Sequence, residues 1–359
     1  MKIGIIALGN IWFSPYINIY TKILKECEIK YEIVFWDRDG SEKGKGISFE
    51  TKIDNSQSRL SKLSRFISYS NFVKRTITEK QYEKLIILGP QLGILLAPYL
   101  KRKYRKRYIF DFRDLSIEQY AFLQPRFKKL LSNSALNVIS SPGFKQFLPK
   151  GFQYIISHNF DIDLCKSALL VDDYQPLPDN PISVLTIGGI RDFSSNSAVI
   201  CNLANRDNIK MSFVGKGACA DLLKKYGEEH DCRNITFEGY YPKEKEKEYI
   251  ASCTFINIFY PNIKSHSSAL SNRFYNALVY KRPMIVTSNS IQGDYVEQNN
   301  LGLSLETCEN LDEKMKLWMK NNDYQEFVRR CNVLLSEYVK EQDYFIGCVK
   351  DFVNFDGCS

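Results

Sequence analysis

The chain has 359 residues, 44% of them hydrophobic and 25% charged, which is typical of about two globular domains and excludes a disordered or fibrous protein. The formal net charge of +8 is unevenly placed, because residues 1–180 carry 28 Lys and Arg against 18 Asp and Glu, whereas residues 181–359 carry 21 and 23. The basic excess therefore belongs to the first half of the chain and indicates an anionic partner for that half.

The amino-terminal residues predict a βαβ unit. Lys2–Leu8 is an apolar run that predicts a parallel strand rather than a secretory signal, because it has one lysine and no small-residue cleavage site. A helix over Tyr16–Cys27 and a strand over Tyr31–Trp36 follow. Ligands of doubly wound sheets gather beyond the carboxyl ends of the strands, so we expect Gly9 and Asn10 to face a binding cleft and contact an acceptor substrate.

The α/β alternation continues after a predicted loop at residues 37–58, which are polar and rich in turn-forming residues. The longest apolar stretch, Leu85–Leu100, is interrupted by glycines and prolines and is too short to span a bilayer, so we expect no transmembrane helix. The next predicted helices and strands are Leu60–Thr78, Lys84–Leu88, Leu92–Arg102 and Arg107–Asp111.

A dense basic run, Lys101–Arg107, is the sharpest feature of the charge pattern. Such a run is often only a solvated face. It could also bind an anionic membrane surface or a lipid pyrophosphate, to which basic residues near a membrane contribute about 1 kcal/mol each. No recognised nucleic-acid-binding motif accompanies the charge, so nucleic acid is not an expected partner.

Charged residues gather where the strand Arg107–Asp111 ends. Asp111 and Asp114 flank Arg113, and two carboxylates beside an arginine could orient an acceptor hydroxyl in catalysis. A structural cluster of ion pairs is the alternative.

Two further polar sites of the first half have either a functional or a purely structural interpretation. Ser140 and Ser141 follow a predicted strand and could donate to a phosphate, or they could cap a helix. His158, one of three histidines, is a candidate base near the acceptor, or a hydrogen-bonded structural residue.

A second βα series begins after residues 166–181, which contain three prolines and are predicted to be a linker. Val184–Arg191 predicts a strand followed by a glycine turn. The backbone N–H groups of Gly188 and Gly189, together with the next helix N-terminus, could receive a pyrophosphate, with Arg191 placed to pair with it. A similar turn comes next in the chain, at Gly215, Lys216 and Gly217.

The segment from residue 266 to residue 303 predicts a loop, a helix, a tight turn and a buried strand. Asn272–Tyr280 fits a helix with Phe274, Ala277 and Leu278 inward, and proline ends it. Met284–Thr287 is an apolar run typical of a parallel sheet. From residue 312 onward the chain is predicted to be helical.

The ten cysteines are scattered without any Cys-x-x-Cys, which favours free buried thiols over disulfides or zinc ligands. No Asp-x-Asp follows a strand in the second half, so the chain is expected to bind no metal and no cofactor.

The run Arg273–Leu278 followed by Lys281–Val286 resembles the nucleotide-sugar site of GT-B glycosyltransferases, especially the large retaining family 4. Family members often carry two glutamates eight positions apart, where this chain has Ser268 and Asn276. Residues 235–241 are similar to the family strand whose glycine lies near the nucleotide base, which implies that Gly239 and Tyr240 contact the base. Residues 154–161 resemble the family's pattern at the end of the first domain, and His266 lies in a loop expected by the sugar.

The resemblance implies an α/β protein with two Rossmann-like, doubly wound domains facing across a cleft. The expected divisions are an acceptor domain at 1–165, a linker at 166–181, a donor domain at 182–337 and a returning helix at 338–359. The implied catalytic residues are Asp111, Arg113, Asp114, Arg191 and Arg273. The implied donor-binding residues are Gly188, Gly189, Arg191, Gly215, Lys216, Gly217, Gly239, Tyr240, Ser268, Asn272, Arg273, Phe274 and Asn276.

The implied activity is metal-independent, retaining transfer of a sugar from a UDP- or GDP-sugar to a lipid-linked saccharide, in bacterial capsule, O-antigen or exopolysaccharide biosynthesis. The expected location is the cytoplasm, peripheral at the inner face of the membrane. Two alternatives stay open. One is a nucleotide-sugar epimerase with the same fold, and the other is a noncatalytic GT-B protein that binds a sugar nucleotide or acts as a scaffold.

Overall fold

The computed structural model describes residues 1–51, 59–171, 174 and 176–355. They form two compact units, and each is an α/β unit with one parallel sheet. The first unit contains Met1–His158 and Glu341–Ser359, and the second contains Asn159–Lys340. This architecture confirms the prediction of two doubly wound, parallel-sheet units.

The first unit has a seven-stranded sheet with the order β3-β2-β1-β4-β5-β6-β7. Every neighbouring pair is parallel, so all carboxyl ends lie at one edge and all amino ends at the other. The strands are β1 (Lys2–Ile6), β2 (Lys30–Asp37), β3 (Ile47–Glu50), β4 (Lys84–Leu88), β5 (Tyr108–Phe112), β6 (Leu136–Ile139) and β7 (Ile155–Ile156). The helices are α1 (Ile17–Glu26), α2 (Arg59–Lys80), α3 (Pro90–Lys103) and α4 (Gln124–Asn133).

The second unit has a six-stranded parallel sheet with the order β10-β9-β8-β11-β12-β13. Its strands are β8 (Ile182–Ile187), β9 (Ile209–Val214), β10 (Ile235–Glu238), β11 (Phe255–Ile258), β12 (Met284–Thr287) and β13 (Gly302–Leu305). Its helices are α5 (Ile162–Leu169), α6 (Phe193–Leu203), α7 (Ala220–Glu229), α8 (Glu246–Ala251), α9 (Lys264–Ser268), α10 (Asn272–Val279), α11 (Ile291–Gln298) and α12 (Leu311–Asn321).

The central strands form where the sequence is continuously apolar. All five residues of β4 are buried, as expected for a strand covered by helices on both faces. Helix α10 buries Phe274, Ala277 and Leu278 completely, which confirms their predicted inward direction. Lys281 ends that helix with a φ of +52°, and the chain enters β12 through Pro283.

Two segments differ from their predicted structure. Residues 37–58 contain strand β3, which pairs in parallel with β2, and residues 52–58 lie outside the described residues. The units divide at His158, earlier than the expected boundary at residue 165. The physical reason is α5, which Asp161 caps and whose Cys165 and Ala168 pack into the core of the second unit. Residues 172, 173 and 175 of the predicted linker are not described.

The last helix, α13 (Tyr324–Asn354), belongs to the second unit up to Lys340 and to the first unit from Glu341. Phe345, Val349 and Val353 of its later part are buried in the core formed by β1, β4 and α1. No helix in the described ranges is long and apolar enough to cross a membrane. The nine cysteines among the described residues are free, and no group of His, Cys, Asp and Glu there is arranged to hold a metal ion.

Candidate functional site

Two glycine turns meet at the carboxyl edge of the second sheet, where β8 and β9 end side by side. The Gly188 N–H donates to the Val214 carbonyl at 2.8 Å, and the Ile190 N–H donates to the Lys216 carbonyl at 3.1 Å. The turn after β8 is therefore held against the turn after β9 by backbone hydrogen bonds. This places Gly188, Gly189 and Lys216 on one surface.

The close approach of these turns explains two glycines that the sequence analysis assigned to donor binding. A Cβ atom on Gly215 would lie 2.1 Å from the Gly188 oxygen, and one on Gly217 would lie 2.0 Å from the Ile190 oxygen. Gly215 also has a φ of +132°, which L side chains rarely adopt. Gly215 is buried. Both glycines are therefore required for the packing of one turn against the other, and Gly217, which is exposed, stays a candidate for donor contact.

Arg273, in the first turn of α10, joins the ends of β8 and β11. Its Nε donates to the Ile187 carbonyl at 2.5 Å, its Nη1 to the Asn257 carbonyl at 3.2 Å, and its Nη2 to the Gly189 carbonyl at 2.9 Å. The side chain is only 6% exposed. It makes no ion pair within the described residues, so its charge is balanced by main-chain carbonyl dipoles and by the nearby Tyr260 ring.

A second guanidinium lies beside the same glycine. The Nε atom of Arg191 is 3.3 Å from the position that a Gly189 Cβ would occupy. Arg191 and Lys216 are both exposed, and within the described ranges neither has an acidic partner. The N-terminus of α6 follows directly and has no side-chain cap. Exposed Arg191 and Lys216, the buried Arg273 and the N-terminus of α6, whose N-cap residue is Asp192, therefore gather around one turn, and their net positive charge suits a diphosphate anion.

Aromatic side chains border this cationic turn on the β10 side. The Tyr241 hydroxyl is 4.0 Å from the position of a Gly188 Cβ and donates to Glu246 at 3.0 Å. Tyr240 is 76% exposed, and the Lys216 amine lies 5.9 Å from the centre of its ring. Nothing lies within 4 Å of a Cβ on Gly239, so the backbone there is open. Gly239 and Tyr240 remain candidates for base contact.

A small pocket of about 10 Å³, the size of one water molecule, lies between the ends of β11 and β12. Tyr260, His266, Thr287 and Gln292 are among the residues that line it. The Tyr260 ring is 5.5 Å from the Arg273 guanidinium and 5.3 Å from the His266 ring. The pocket thus adjoins the cationic turn through Tyr260.

The predicted donor contacts on α9 and α10 divide into buried and open residues. Ser268 is fully buried and donates to the Lys264 carbonyl at 2.7 Å, and Phe274 is enclosed among the rings of Tyr275, Tyr295 and Tyr338. Neither can touch a donor, which corrects both predictions. Asn272 is exposed and accepts from Asn159 at 2.9 Å, and Asn276 is partly exposed. Both remain candidates.

The acidic cluster of the first unit is a buried ion pair. Both carboxylate oxygens of Asp111 are occupied, since Arg113 donates to them at 2.7 and 2.8 Å and the Tyr20 hydroxyl donates at 2.7 Å. Asp111 is fully buried and Arg113 is 6% exposed. Burial and the nearby Asp111 carboxylate raise the pKa of Tyr20 well above its usual value. This corrects the prediction that Asp111 and Arg113 act on an acceptor. Asp114 is exposed and remains a candidate.

Asn10, a predicted acceptor contact of the first unit, is instead bonded to other side chains of that unit. Asn10 is 1% exposed, and its amide donates to Asp37 and Asp39 at 2.8 Å each, so it ties the loop after β1 to the loop after β2. The Nη2 atom of Arg38 donates to Leu8 beside Gly9 at 2.8 Å. Asn10 therefore has no free amide group for an acceptor, which corrects that prediction. Gly9 stays partly exposed.

His158 is fully buried, and one ring nitrogen lies 2.7 Å from the Glu341 carboxylate. Burial lowers its pKa, and the hydrogen bond to Glu341 opposes that shift. The structure therefore corrects the prediction of an accessible base and agrees with the structural alternative. Ser141 likewise accepts from the Gly143 N–H at 3.2 Å, as a cap does.

One polar network escaped the sequence analysis. Asn257 is fully buried at the end of β11, where its amide donates to Thr186 at 2.9 Å and to Asn196 at 3.1 Å. The network anchors α6 to the strands whose carbonyls Arg273 holds. The sequence did contain a signal for this network, which is the single asparagine inside the apolar strand Phe255–Ile258. A polar side chain is rarely buried without partners, so this asparagine predicts a buried hydrogen-bond network.

No protein-family model and no curated protein sequence matches the chain. Solved structures match it over nearly its whole length. A sucrose-phosphate synthase from Thermosynechococcus elongatus has a TM-score of 0.64 at 13% identity, over 94% of each chain. HepE from Anabaena in complex with UDP-glucose has a TM-score of 0.65 at 13% identity, over 98% of this chain and 100% of its own.

The trehalose-6-phosphate synthase OtsA has a TM-score of 0.65 at 8% identity, over 99% of both chains. Since all of these identities are low, the similarity is one of fold. The chain has the GT-B fold of these glycosyltransferases, which confirms the predicted fold class.

Proposed function

We propose that this chain is a glycosyltransferase that takes its donor, a nucleotide-sugar, at the cationic turn of the second unit. The observation that carries the proposal is the pair of guanidinium groups next to Gly189. The oxygen of Gly189 accepts from Arg273, Arg191 lies beside its α-carbon, and neither arginine has an acidic partner among the described residues. A site that stores uncompensated positive charge favours binding of an anion.

The arrangement suits the departure of a nucleoside diphosphate. Transfer breaks the bond between the anomeric carbon of the sugar and the diphosphate oxygen. It forms a bond from that carbon to an acceptor hydroxyl oxygen, whose proton passes to the departing diphosphate. Negative charge develops on the leaving oxygen as the first bond breaks. Arg191, Lys216 and the N-terminus of α6 are positioned to stabilise that charge electrostatically, and prepositioned donors of this kind supply much of the catalysis in enzymes.

The finer assignments extend this proposal. HepE was solved with UDP and with UDP-glucose, which makes a UDP-sugar the first donor to test here. The family resemblance supports retention of anomeric configuration and a lipid-linked saccharide acceptor of a bacterial surface polysaccharide, bound by the first unit. The positive charge of residues 1–180 supports peripheral association with an anionic membrane.

A noncatalytic, sugar-nucleotide-binding protein is the second candidate. Ser268 and Asn276 stand where related enzymes often have glutamates, and the buried Ser268 cannot replace a carboxylate at the donor. Such a protein would bind the nucleotide-sugar but would neither hydrolyse nor transfer it.

The experiment is a thermal-shift screen against UDP-, GDP-, CMP- and dTDP-sugars, followed by an assay of donor hydrolysis and transfer. A ligand at one hundred times its Kd stabilises the folded state by about 2.7 kcal/mol. We expect stabilisation by one nucleotide class and turnover of its sugar donor. Stabilisation without any turnover, including with membrane-extracted acceptors, would favour the noncatalytic candidate. No stabilisation by any of the four classes would contradict the donor site.

A further inference from the structure

A cavity of about 660 Å³ opens at the amino edge of the first sheet. Ligands of doubly wound sheets bind at the other edge, beyond the carboxyl ends of the strands. The two edges are separated by the length of β4, which at five residues is roughly 16 Å. The volume of the cavity is typical of sites for small organic molecules, which measure roughly 300–1,000 Å³. The cavity is therefore a candidate ligand site of its own.

The first wall of the cavity is made by the starts of three neighbouring strands. β4, β5 and β6 lie side by side and in parallel, so their first residues come together at one edge. Lys84 begins β4, Arg107 precedes β5, and Ala135 and Leu136 lie at the start of β6. Backbone hydrogen bonds fix this wall, since the Leu85 N–H donates to the Arg107 carbonyl at 3.1 Å.

The second wall is the end of α13, which Lys84 holds in place. The Lys84 amine donates to the carbonyls of Phe352 and Phe355 at 2.5 and 2.6 Å, and it lies 5.1 Å from the centre of the Phe352 ring. The last carbonyls of a helix lack a donor within the helix, so this lysine fixes the position of the second wall. Lys84 is only 7% exposed. A buried contact thus joins both walls, and the cavity is preformed.

Much of the lining is apolar. Ala135 and Leu136 line the first wall, and Phe352 and Phe355 line the second. Leu136 is only partly buried, and Phe355 is 71% exposed. Covering such side chains with the apolar part of a ligand removes them from water, which is favourable.

Three cationic side chains also line the cavity, and they end the basic run of the sequence: Arg105, Lys106 and Arg107. All three residues are exposed, and none has an acidic partner in the part of the chain that the structure describes. Lys106 donates to the Ser134 carbonyl at 2.9 Å, which holds its amine near the start of β6. Arg105 donates to no other described group, so its guanidinium is available to a ligand.

Two carboxylates line the same cavity and reduce its charge. Glu83 is 3.5 Å from the amino group of Met1 and also accepts from the Lys2 N–H at 3.0 Å, so its charge is offset. Asp351 is exposed. With Lys84 counted, four cationic side chains stand against these two carboxylates, so the cavity keeps a net positive charge. Such a charge favours an anion.

The apolar lining and the positive charge together select one class of ligand. An inorganic anion or a polyanion would leave the apolar lining in water, and a neutral apolar molecule would leave the cationic groups without a partner. A bilayer is flat on this scale and cannot fill a concave site. A small molecule with an apolar body and one anionic group satisfies both parts of the lining.

We propose that the amino edge of the first sheet holds a second ligand site, for a small amphipathic anion. Its class is a carboxylate, a sulfonate or a phosphate monoester joined to an aromatic or aliphatic body. The body lies against Leu136, Phe352 and Phe355, and the anionic group lies against Arg105 and Arg107. Because the ligand contacts both walls, its binding stabilises the first unit and reduces opening of the last turns of α13. This site is independent of the proposed function.

The probe for the test is 8-anilinonaphthalene-1-sulfonate, an aromatic sulfonate whose fluorescence rises in apolar surroundings. We expect one bound molecule per chain, a higher melting temperature, and slower amide hydrogen exchange at residues 348–355. N-phenyl-1-naphthylamine has the same rings without the sulfonate. It should bind at least about tenfold more weakly, because it lacks the charge-assisted contacts. Saturating nucleotide-sugar should not displace the sulfonate probe.

Three variants locate the site, and each changes only exposed side chains. Arg105→Gln with Arg107→Gln should weaken binding of the sulfonate probe at least about tenfold. Phe355→Ser should weaken it at least about threefold, since part of the apolar lining is removed. Lys101→Gln with Arg102→Gln is the matched control, because it removes the same charge from the same basic run but outside the cavity. Its binding should change less than about twofold. Melting temperatures without probe confirm that each variant is folded.

Four results would overturn the second site. They are no binding of the sulfonate probe, its displacement by nucleotide-sugar, equal affinity for the probe that lacks the sulfonate, and equal weakening by the two double variants. Residues 356–359, which follow Phe355, lie outside the described residues. Binding that appears only in a protein ending at Phe355 would show that these residues occupy the cavity, which would overturn the proposal as well.

Discussion

The main-chain oxygen of Gly189 accepts a hydrogen bond of 2.9 Å from Nη2 of Arg273, and the exposed guanidinium of Arg191 lies beside the same glycine. The two arginines thus surround one turn but differ in what they do there. Arg273 is bonded to three carbonyls and holds strand ends together, whereas the exposed side chain of Arg191 donates to no other group within the described residues. Substitution of each should separate folding from binding.

Arg273→Ala should destabilise the second unit, because it leaves the carbonyls of Ile187, Asn257 and Gly189 without their donor. A buried polar group that loses its partner costs about 1–3 kcal/mol, so a loss of several kcal/mol is expected. The measurement is urea unfolding followed by circular dichroism. Arg191→Ala should unfold at nearly the wild-type urea concentration, and equal destabilisation by the two changes would contradict the division of roles.

Gly215→Ala should destabilise the protein strongly. The new methyl group would lie 2.1 Å from the Gly188 oxygen, and the φ of +132° would strain any L side chain. We expect a loss of at least about 3 kcal/mol from overpacking and backbone strain together. Gly239→Ala is the matched control, since nothing lies within 4 Å of its Cβ position and its φ is not positive. A wild-type melting temperature for Gly215→Ala would contradict the packing of the two turns.

Asp111→Asn should mainly lower the free energy of unfolding, and any loss of activity should follow from that. The change leaves the buried Arg113 guanidinium without its counter-ion, which costs about 3–5 kcal/mol in comparable buried pairs. Asp114→Asn, on an exposed neighbour, should change stability by less than about 0.5 kcal/mol. Chemical denaturation of both variants checks this. A stable Asp111→Asn protein with no transfer activity would instead support the catalytic role that the sequence analysis predicted.

Lys281→Met should stabilise the second unit at neutral pH. The amine is fully buried beside Cys165 and Cys331, donates to the Leu278 carbonyl at 2.9 Å, and burial lowers its pKa to about 8. Relative to the usual lysine value of 10.5, that shift corresponds to about 3 kcal/mol of destabilisation while the group is charged. Melting temperatures at pH 7 test this, with the exposed Lys320→Met as the control.

The pH dependence of the Lys281→Met effect has a defined sign. Between about pH 8 and pH 10.5 the unfolded lysine binds more protons than the folded one, so rising pH removes the wild-type penalty. The advantage of the methionine variant should therefore shrink as pH rises through this window. Burial raises the pKa of Cys165 and Cys331 to about 12, which lowers the stability of both the wild type and the Lys281→Met variant above pH 9. The quantity to follow is therefore the difference in stability between these two proteins. An advantage that stays constant across the window would contradict the shifted lysine.

The helices and strands that the sequence predicted correctly are those whose apolar residues, spaced as in a helix or strand, are the residues buried in the structure. Strands β4 and β12 are short apolar runs bounded by glycine or proline, and α10 places its apolar residues at helical spacing. Strand β3 was missed because it lies at the sheet edge, where three of its residues are only partly buried, Glu50 is exposed and the apolar signal is weak. Helix α5 was missed because residues 154–161, which include its cap Asp161, were interpreted as the end of the first domain.

The site was harder to predict than the fold, because accessibility depends on partners distant in the chain. Asp111 is closed off by Tyr20, which lies 91 residues away, and His158 by Glu341, 183 residues away. No local pattern reveals such contacts. The glycine turns and Arg191 could be proposed from the sequence because backbone geometry and charge at a strand end are local properties, and their binding role stays a prediction.

The most direct measurement of the central claim is a calorimetric titration of UDP-glucose, or of whichever donor the thermal-shift screen selects, into wild-type protein, Arg191→Ala and Arg206→Ala. Arg206 is an exposed arginine at the opposite, amino edge of the same sheet, just before β9, so it controls for the loss of one positive charge. We expect Arg206→Ala to bind like the wild type and Arg191→Ala to bind at least about tenfold more weakly, the equivalent of about 1.4 kcal/mol from one charge-assisted contact. Equal affinity of all three proteins would show that the donor does not bind at the turn beside Gly189.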